Sequence, residues 1–112
     1  PTSTYGASKI YAEVLAEMYA RIHGIETIAV RIGTVIPNED EHWIRGGRLQ
    51  ATAFLAEDVR RFFKAAVENT MQGYLLTVAQ SDSPERFLDL EPGLSILNWT
   101  PISWPDKAEN LQ

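Results

Sequence analysis

Residues 3–32 read STYGASKIYAEVLAEMYARIHGIETIAVRI, and a change of hydrophobic period inside this stretch decides the fold. Ile10, Val14, Met18 and Ile22, with Tyr11, Leu15 and Tyr19 beside them, recur at helical spacing. That spacing predicts an amphipathic helix from Ser3 to His23. Ser3 or Thr4 can accept the first free amides, alanines favour the interior, and His23 with Gly24 supplies a C-terminal stop. After a turn at Gly24 and Ile25, the run Glu26 to Ile32 holds Ile28, Val30 and Ile32 at alternate positions, interleaved with Thr27 and Ala29, a strand pattern. Helix, tight turn and short apolar strand make the second half of a βαβ unit. The chain therefore falls in the α/β class with a parallel sheet.

Downstream, residues 34–52 show neither period and hold Pro37, the acidic cluster Glu39, Asp40 and Glu41, and the pair Gly46 and Gly47. A long irregular loop is expected there. From Asp58 to Asn69 the pattern predicts a second amphipathic helix, with Val59, Phe62, Phe63, Ala66 and Val67 on its apolar face. Glu57 and Asp58 place negative charge at its start, where the helix dipole favours it. Gly73 leads into a short buried strand from Tyr74 to Ala79. Prolines and acidic residues then predict brief helices at Pro84–Leu90 and Pro92–Leu97 and an irregular tail.

With 112 residues, 45% hydrophobic and 22% charged, the chain has the composition of one globular domain with a modest core. It contains no cysteine, which removes disulfides, thiolate metal ligands and thiol catalysis. A net charge of −5 argues against nucleic acid and anionic membranes as partners, because both need clustered Lys and Arg. No apolar run approaches the roughly 20 residues of a membrane span, and the first residues carry no signal pattern. A cytoplasmic location is expected. His23 and His42 have no second ligand at metal spacing, and Glu39 to Glu41 lack the alternation of a calcium loop, so no metal site is expected. Trp43, Trp99 and Trp104 fall in irregular regions, where packing under a lid or tail is the plain reading.

Chemistry concentrates at Tyr5 and Lys9. They stand i, i+4 in the first turns of the first helix, so both side chains leave the same face toward its N-terminal end. A phenol with a reference pKa near ~10 is a poor base at neutral pH, and a nearby ammonium favours the phenolate. Such a tyrosine can take or return a hydroxyl proton while hydride moves to or from a nicotinamide. The spacing alone is a weak motif, and a surface pair on an amphipathic helix is the ordinary alternative.

The wider context is more specific. The string PTSTYGASK over residues 1–9 is followed by Ala12 and Glu13, then by the helix, Gly24, the strand and RIGTVIP over residues 31–37. This combination resembles the extended short-chain dehydrogenase/reductase family, also known as the NAD-dependent epimerase/dehydratase family. Its members read close to P-x-x-x-Y-G-x-S-K, then A-E or G-E, and later a strand ending in R-x-G or R-x-x-N before G-P or a proline. The resemblance implies a Rossmann-like doubly wound parallel sheet with a small substrate-binding lobe. It implies NAD as cofactor, with NADP not excluded, Tyr5 as catalytic acid/base, and Lys9 tuning it and binding the nicotinamide ribose. Ile32, Gly33 and Thr34 then approach the nicotinamide, and Thr34 also the substrate; the plain alternative for these three is an ordinary strand exit.

On this resemblance residues 1–33 are the last helix–strand unit of the cofactor-binding domain, and residues 34–112 are a substrate-side lobe and tail. The family's nucleotide-binding half begins with G-x-x-G-x-x-G, a spacing that the glycines at 6, 24, 33, 46, 47, 73 and 93 never form. The upstream Ser or Thr of the catalytic triad has no counterpart either. The chain is therefore expected to be a C-terminal piece, inactive by itself, that pairs with an upstream half or self-associates as a homo-oligomer. RIGTVIP and the later L-A-E-D-V most resemble uronate dehydrogenases, which read R-I-G-S and W-L-S-x-D-D and oxidise a hexuronic acid at its anomeric carbon. A carboxylate substrate calls for arginine, and Arg48 aligns best when counted back from Phe54, with Arg45 a neighbouring candidate and a solvated loop arginine the plain alternative. The loop is several residues longer than the uronate group leads one to expect. Two other readings stay open: a sugar-nucleotide epimerase or dehydratase, and a truncated, non-catalytic interaction module.

Overall fold

A computed structural model of the chain describes residues 1–36, 47–70 and 72–104. Pro37, Glu39 to Glu41, His42, Trp43, Arg45 and Gly46 lie outside the described residues. The first helix, α1, spans Thr4–His23. Ser3 caps it by accepting the Gly6 amide at 3.0 Å. Gly24 ends it in the left-handed conformation at φ 66°, its amide returning to the Ala20 carbonyl. A side chain at such a φ would be strained, so glycine suits the position.

Strand β1 (Thr27–Ile32) lies parallel to β4 (Tyr74–Ala79), in register from Thr27↔Tyr74 to Ile32↔Ala79. The chain is thus α/β with parallel pairing, as expected. Beyond Gly33 the backbone enters β2 (Thr34–Ile36), which pairs in parallel with β3 (Ala53–Leu55). Helix α2 (Gly47–Thr52) runs straight into β3, and α3 (Ala56–Glu68) follows it. A short α4 (Gly93–Leu97) comes after β4.

The core is built on the downstream side. Phe54, Phe62, Leu75, Ala79, Leu90, Leu97 and Trp99 form one buried cluster, with Ile28, Val30 and Val59 packed against it. Strand β4 alternates as a half-buried strand should, hiding Leu75, Thr77 and Ala79. Trp99 brings the tail into this core, its ring 5.2 Å from Phe62 at 84°, edge to face.

Several expectations need correction. Residues 34–36 and 47–52 are not irregular: they form β2, which pairs with β3, and α2, whose last carbonyls accept from Gln80 and Ser83. Residues 84–90 turn without forming a helix. On α3 the buried stripe runs through Asp58 and Phe62, while Phe63 is 43% and Val67 84% exposed. On α1 Ile10, Tyr11, Val14, Tyr19 and Ile22 are exposed, and Ala20 is the one fully buried residue. Leu15, Ala16 and Met18 are half-buried, so only part of the expected apolar stripe of α1 is covered.

Candidate active site

Because α1 runs into β1 through a tight turn, its N-terminal end returns to the carboxyl end of β1. That edge is where open α/β sheets hold ligands. A groove of about 550 Å³ lies there, walled by Tyr5, Lys9, Ala12, Glu13 and Ala16 on the helix and by Ala29 to Ile32 on the strand. Tyr5 is 65% exposed. The Lys9 ammonium sits 5.3 Å from the centre of its ring, within range of a cation–π contact. The two residues singled out by spacing therefore share one side of the helix and one groove.

The groove contains an ion pair to which the sequence pattern drew no attention. Arg31 donates to Glu13 through Nε at 2.7 Å and through Nη2 at 2.8 Å, a two-pronged link between α1 and β1. These hydrogen bonds hold the Glu13 carboxyl below its ordinary 4.5, against a smaller opposing effect of burial. The same hydrogen bonds raise Arg31 above its ordinary value. The Tyr74 hydroxyl lies 3.5 Å from the Glu13 carbonyl. Burial, with the Glu13 and Glu17 carboxylates nearby, pushes its phenol up. An arginine inside an apolar strand, and a glutamate four residues after Lys9, were the available signals.

Ile32 lines the groove, and Gly33 and Thr34 follow it directly. The Gly33 amide donates to the Ala79 carbonyl at 3.0 Å. A Cβ on Gly33 would stand 2.2 Å from the Thr52 carbonyl oxygen and 3.0 Å from Gln80 Cβ, so this chain's own packing requires glycine there. The Thr34 hydroxyl is 3.1 Å from that of Thr52. Thr52 ends α2, and Arg48 lies four residues earlier on that helix. Tyr5, Lys9 and Ile32 thus meet in one groove, and Thr34 meets the end of the Arg48 helix; Arg45 lies outside the described residues.

Behind this edge lies a buried polar network that the sequence reading missed. Asp58, fully buried, accepts the Ser81 hydroxyl at 2.6 Å and the amides of Ile102 and Ser103 at 2.8 and 3.1 Å. Ser81 Oγ in turn accepts the Leu55 amide at 2.9 Å. Its position in the first turn had marked Asp58 only as a favourable charge for the helix dipole.

No protein-family model matches the chain. It is 31% identical over 83 residues to a uronate dehydrogenase of Pseudomonas syringae pv. tomato, covering 74% of this chain and 28% of that protein. Over 108 residues it is 28% identical to an L-arabinose 1-dehydrogenase (NAD(P)(+)) of Haloferax volcanii, covering 90% of this chain and 42% of the relative. A solved uronate dehydrogenase from Agrobacterium tumefaciens, a tyrosine-to-alanine mutant complexed with NAD, superposes with a TM-score of 0.79 at 28% identity, covering 92% of this chain and 37% of the other. The chain spans well under half the length of each of these proteins. Motif, parallel fold and relatives point the same way: the chain is similar to a part of uronate dehydrogenases and of a sugar dehydrogenase, in line with its resemblance to the extended short-chain dehydrogenase/reductase family.

Proposed function

We propose that this chain belongs to an NAD(P)-dependent oxidoreductase acting on a sugar or sugar acid, with a hexuronate as the favoured substrate. One observation carries the reading: Tyr5 and Lys9 lie together in a groove at the carboxyl end of β1. In this reading Tyr5 takes the proton of the substrate's anomeric hydroxyl, and Lys9 favours the phenolate and holds the nicotinamide ribose. The cofactor, when bound, supplies the hydride acceptor. Ile32, Gly33 and Thr34 face the nicotinamide, Thr34 also offers its hydroxyl to the substrate, and Arg48 and Arg45 serve the substrate carboxylate. The residues present fit the nicotinamide end of a dinucleotide, since Tyr5 is open to solvent beside a cation and the Gly33–Thr34 exit lies at the same edge.

Residues 1–33 then close the cofactor side and 34–112 supply the substrate side, with β4 from the second part lying beside β1. Among the described residues no helix is long and apolar enough to cross a membrane. We place the protein in the cytoplasm, acting on a small molecule, as a homo-oligomer or paired with an upstream half. The relatives' printed activities favour a dehydrogenase over an epimerase, a dehydratase or a non-catalytic module. The test is cofactor reduction by the full-length protein, offered a hexuronate or L-arabinose with NAD⁺ or NADP⁺. Reduction with a hexuronate that is lost in Tyr5→Phe supports the reading, and no reduction with any sugar or sugar acid overturns it.

A further inference from the structure

The end of β4 holds the end of α2 in place, and it does so with side chains. Gln80, 1% exposed, donates through Nε2 to the Ala51 carbonyl at 2.8 Å. Ser83, 4% exposed, donates its hydroxyl to the Gln50 carbonyl. The Ser81 amide donates to the Ala53 carbonyl at 2.9 Å. The last carbonyls of any helix lack partners within it, and a helix as short as α2 has little stability of its own. The Gln50 and Ala51 carbonyls near its end, and the Ala53 carbonyl just beyond it, thus receive donors from residues 80–83.

The Thr52 carbonyl points elsewhere, at Gly33. An ideal Cβ on Gly33 would meet that oxygen at 2.2 Å and Gln80 Cβ at 3.0 Å, so the β1 exit, the α2 end and Gln80 converge at one point. Thr34 then meets Thr52, hydroxyl to hydroxyl, at 3.1 Å. Gln80 is therefore the buried piece between the strand exit assigned to the nicotinamide and the helix that carries Arg48.

We infer that Gln80, assisted by Ser83, is a positioning residue for substrate recognition: it sets where α2, and with it Arg48, stands relative to Thr34. This rests on the reading of Arg48 as the carboxylate-binding residue. Gln80 touches no reacting atom in this scheme, so its loss weakens hexuronate binding without slowing the proton and hydride steps at Tyr5. A side chain with a purely structural role would instead affect both substrates or the stability alone.

The test uses the full-length protein and compares wild type, Gln80→Ala, Ser83→Ala, Arg48→Ala and the Gln80→Ala/Arg48→Ala double variant. Loss of one buried hydrogen bond at a positioning site is expected to raise the hexuronate KM by about tenfold in Gln80→Ala and by about threefold in Ser83→Ala. The KM for NAD⁺ and kcat should stay within about twofold of wild type. In the Arg48→Ala background Gln80→Ala should add little, because two changes acting through one contact are not additive. Full additivity, or a parallel rise in both KM values, overturns the positioning role. Hydrogen exchange over residues 47–55 should quicken in Gln80→Ala relative to α1, and unchanged exchange overturns the clamp itself. Should Gln80→Ala fail to fold, Ser83→Ala gives the same contrast. A wild-type protein inactive on hexuronates removes the functional reading, whereas an active one whose hexuronate KM ignores both substitutions removes the Gln80 inference alone.

Discussion

The groove between α1 and β1 and the junction of α3, β3 and β4 are built by opposite means. In the groove the chemistry-bearing side chains are open, with Tyr5 65% exposed, and the helix is tied to its strand by one ion pair whose arginine is 60% exposed. At the junction the side chains of Phe54, Leu55, Phe62, Ser81 and Asp58 are hidden, and the Asp58 carboxyl accepts from two separate segments, Ser81 and the Ile102–Ser103 amides. The difference teaches where function and stability reside. In the proposed role the Tyr5 phenol has to stay open to a substrate, and so exposed a face contributes little to folding, while the buried Asp58 network ties α3 to Ser81, just past β4, and to residues 102 and 103.

Substitutions in the two regions should therefore separate rate from stability. The largest expected effect is Tyr5→Phe in the full-length protein, which should cut turnover by about 10²–10⁴-fold, the range of a lost acid/base, with almost no change in melting temperature. A large fall in melting temperature would show that Tyr5 is structural and erase the contrast. Asp58→Ala is the mirror case. It strands the Ser81 hydroxyl and the Ile102 and Ser103 amides, and should cost roughly 3 kcal/mol or more in chemical denaturation. A loss below about 1 kcal/mol would mean that water replaces the carboxylate and that the junction is less closed than described.

Gly33→Ala lies where the regions join. Its Cβ would stand 2.2 Å from the Thr52 oxygen, and the forced backbone shift should cost about 1–3 kcal/mol. It should also weaken substrate binding, so a stable variant with altered hexuronate KM would sharpen the view of this point as shared. The smallest effect belongs to the Glu13–Arg31 pair. The folded chain holds the Glu13 carboxyl below its ordinary 4.5, so the pair's contribution is present above that value and fades as pH falls through the lower folded one. Tyr74 acts in the opposite sense: its phenol is raised above 10.0, so its contribution is present below that value and fades as pH climbs through the higher folded one. Glu13→Gln should cost under about 1 kcal/mol at neutral pH and remove part of the acid-side slope of stability; an unchanged slope would assign it to other carboxylates.

Much was legible in the sequence wherever the cause is local. Capping at Ser3, the stop at Gly24, the strand periods at 27–32 and 74–79 and the i, i+4 relation of Tyr5 to Lys9 depend on neighbours a few residues away, and each is found where the pattern placed it. The α/β class followed from the order of these elements. The apolar residues of α1 show the limit of such reasoning. Their period announced a helix, yet Ile10, Tyr11, Val14, Tyr19 and Ile22 are exposed, while Leu15 and Met18 are half-buried. Periodicity tells that a stripe exists and is silent on which surface covers it.

What only the tertiary structure decided are relations between residues far apart in the chain. Arg31 reaches Glu13 across 18 positions, and Asp58 collects amides 44 and 45 positions away. Gly33 is required by a carbonyl at Thr52 and a side chain at Gln80, neither visible in the RIGTVIP string. The physical reason is that hydrogen bonds and close packing act over a few ångströms of space, whatever the distance along the chain. The sequence by itself determined the elements and the i, i+4 placement of Tyr5 and Lys9 on their helix; parallel pairing of β1 with β4 and of β2 with β3 decided which distant groups became neighbours at their ends.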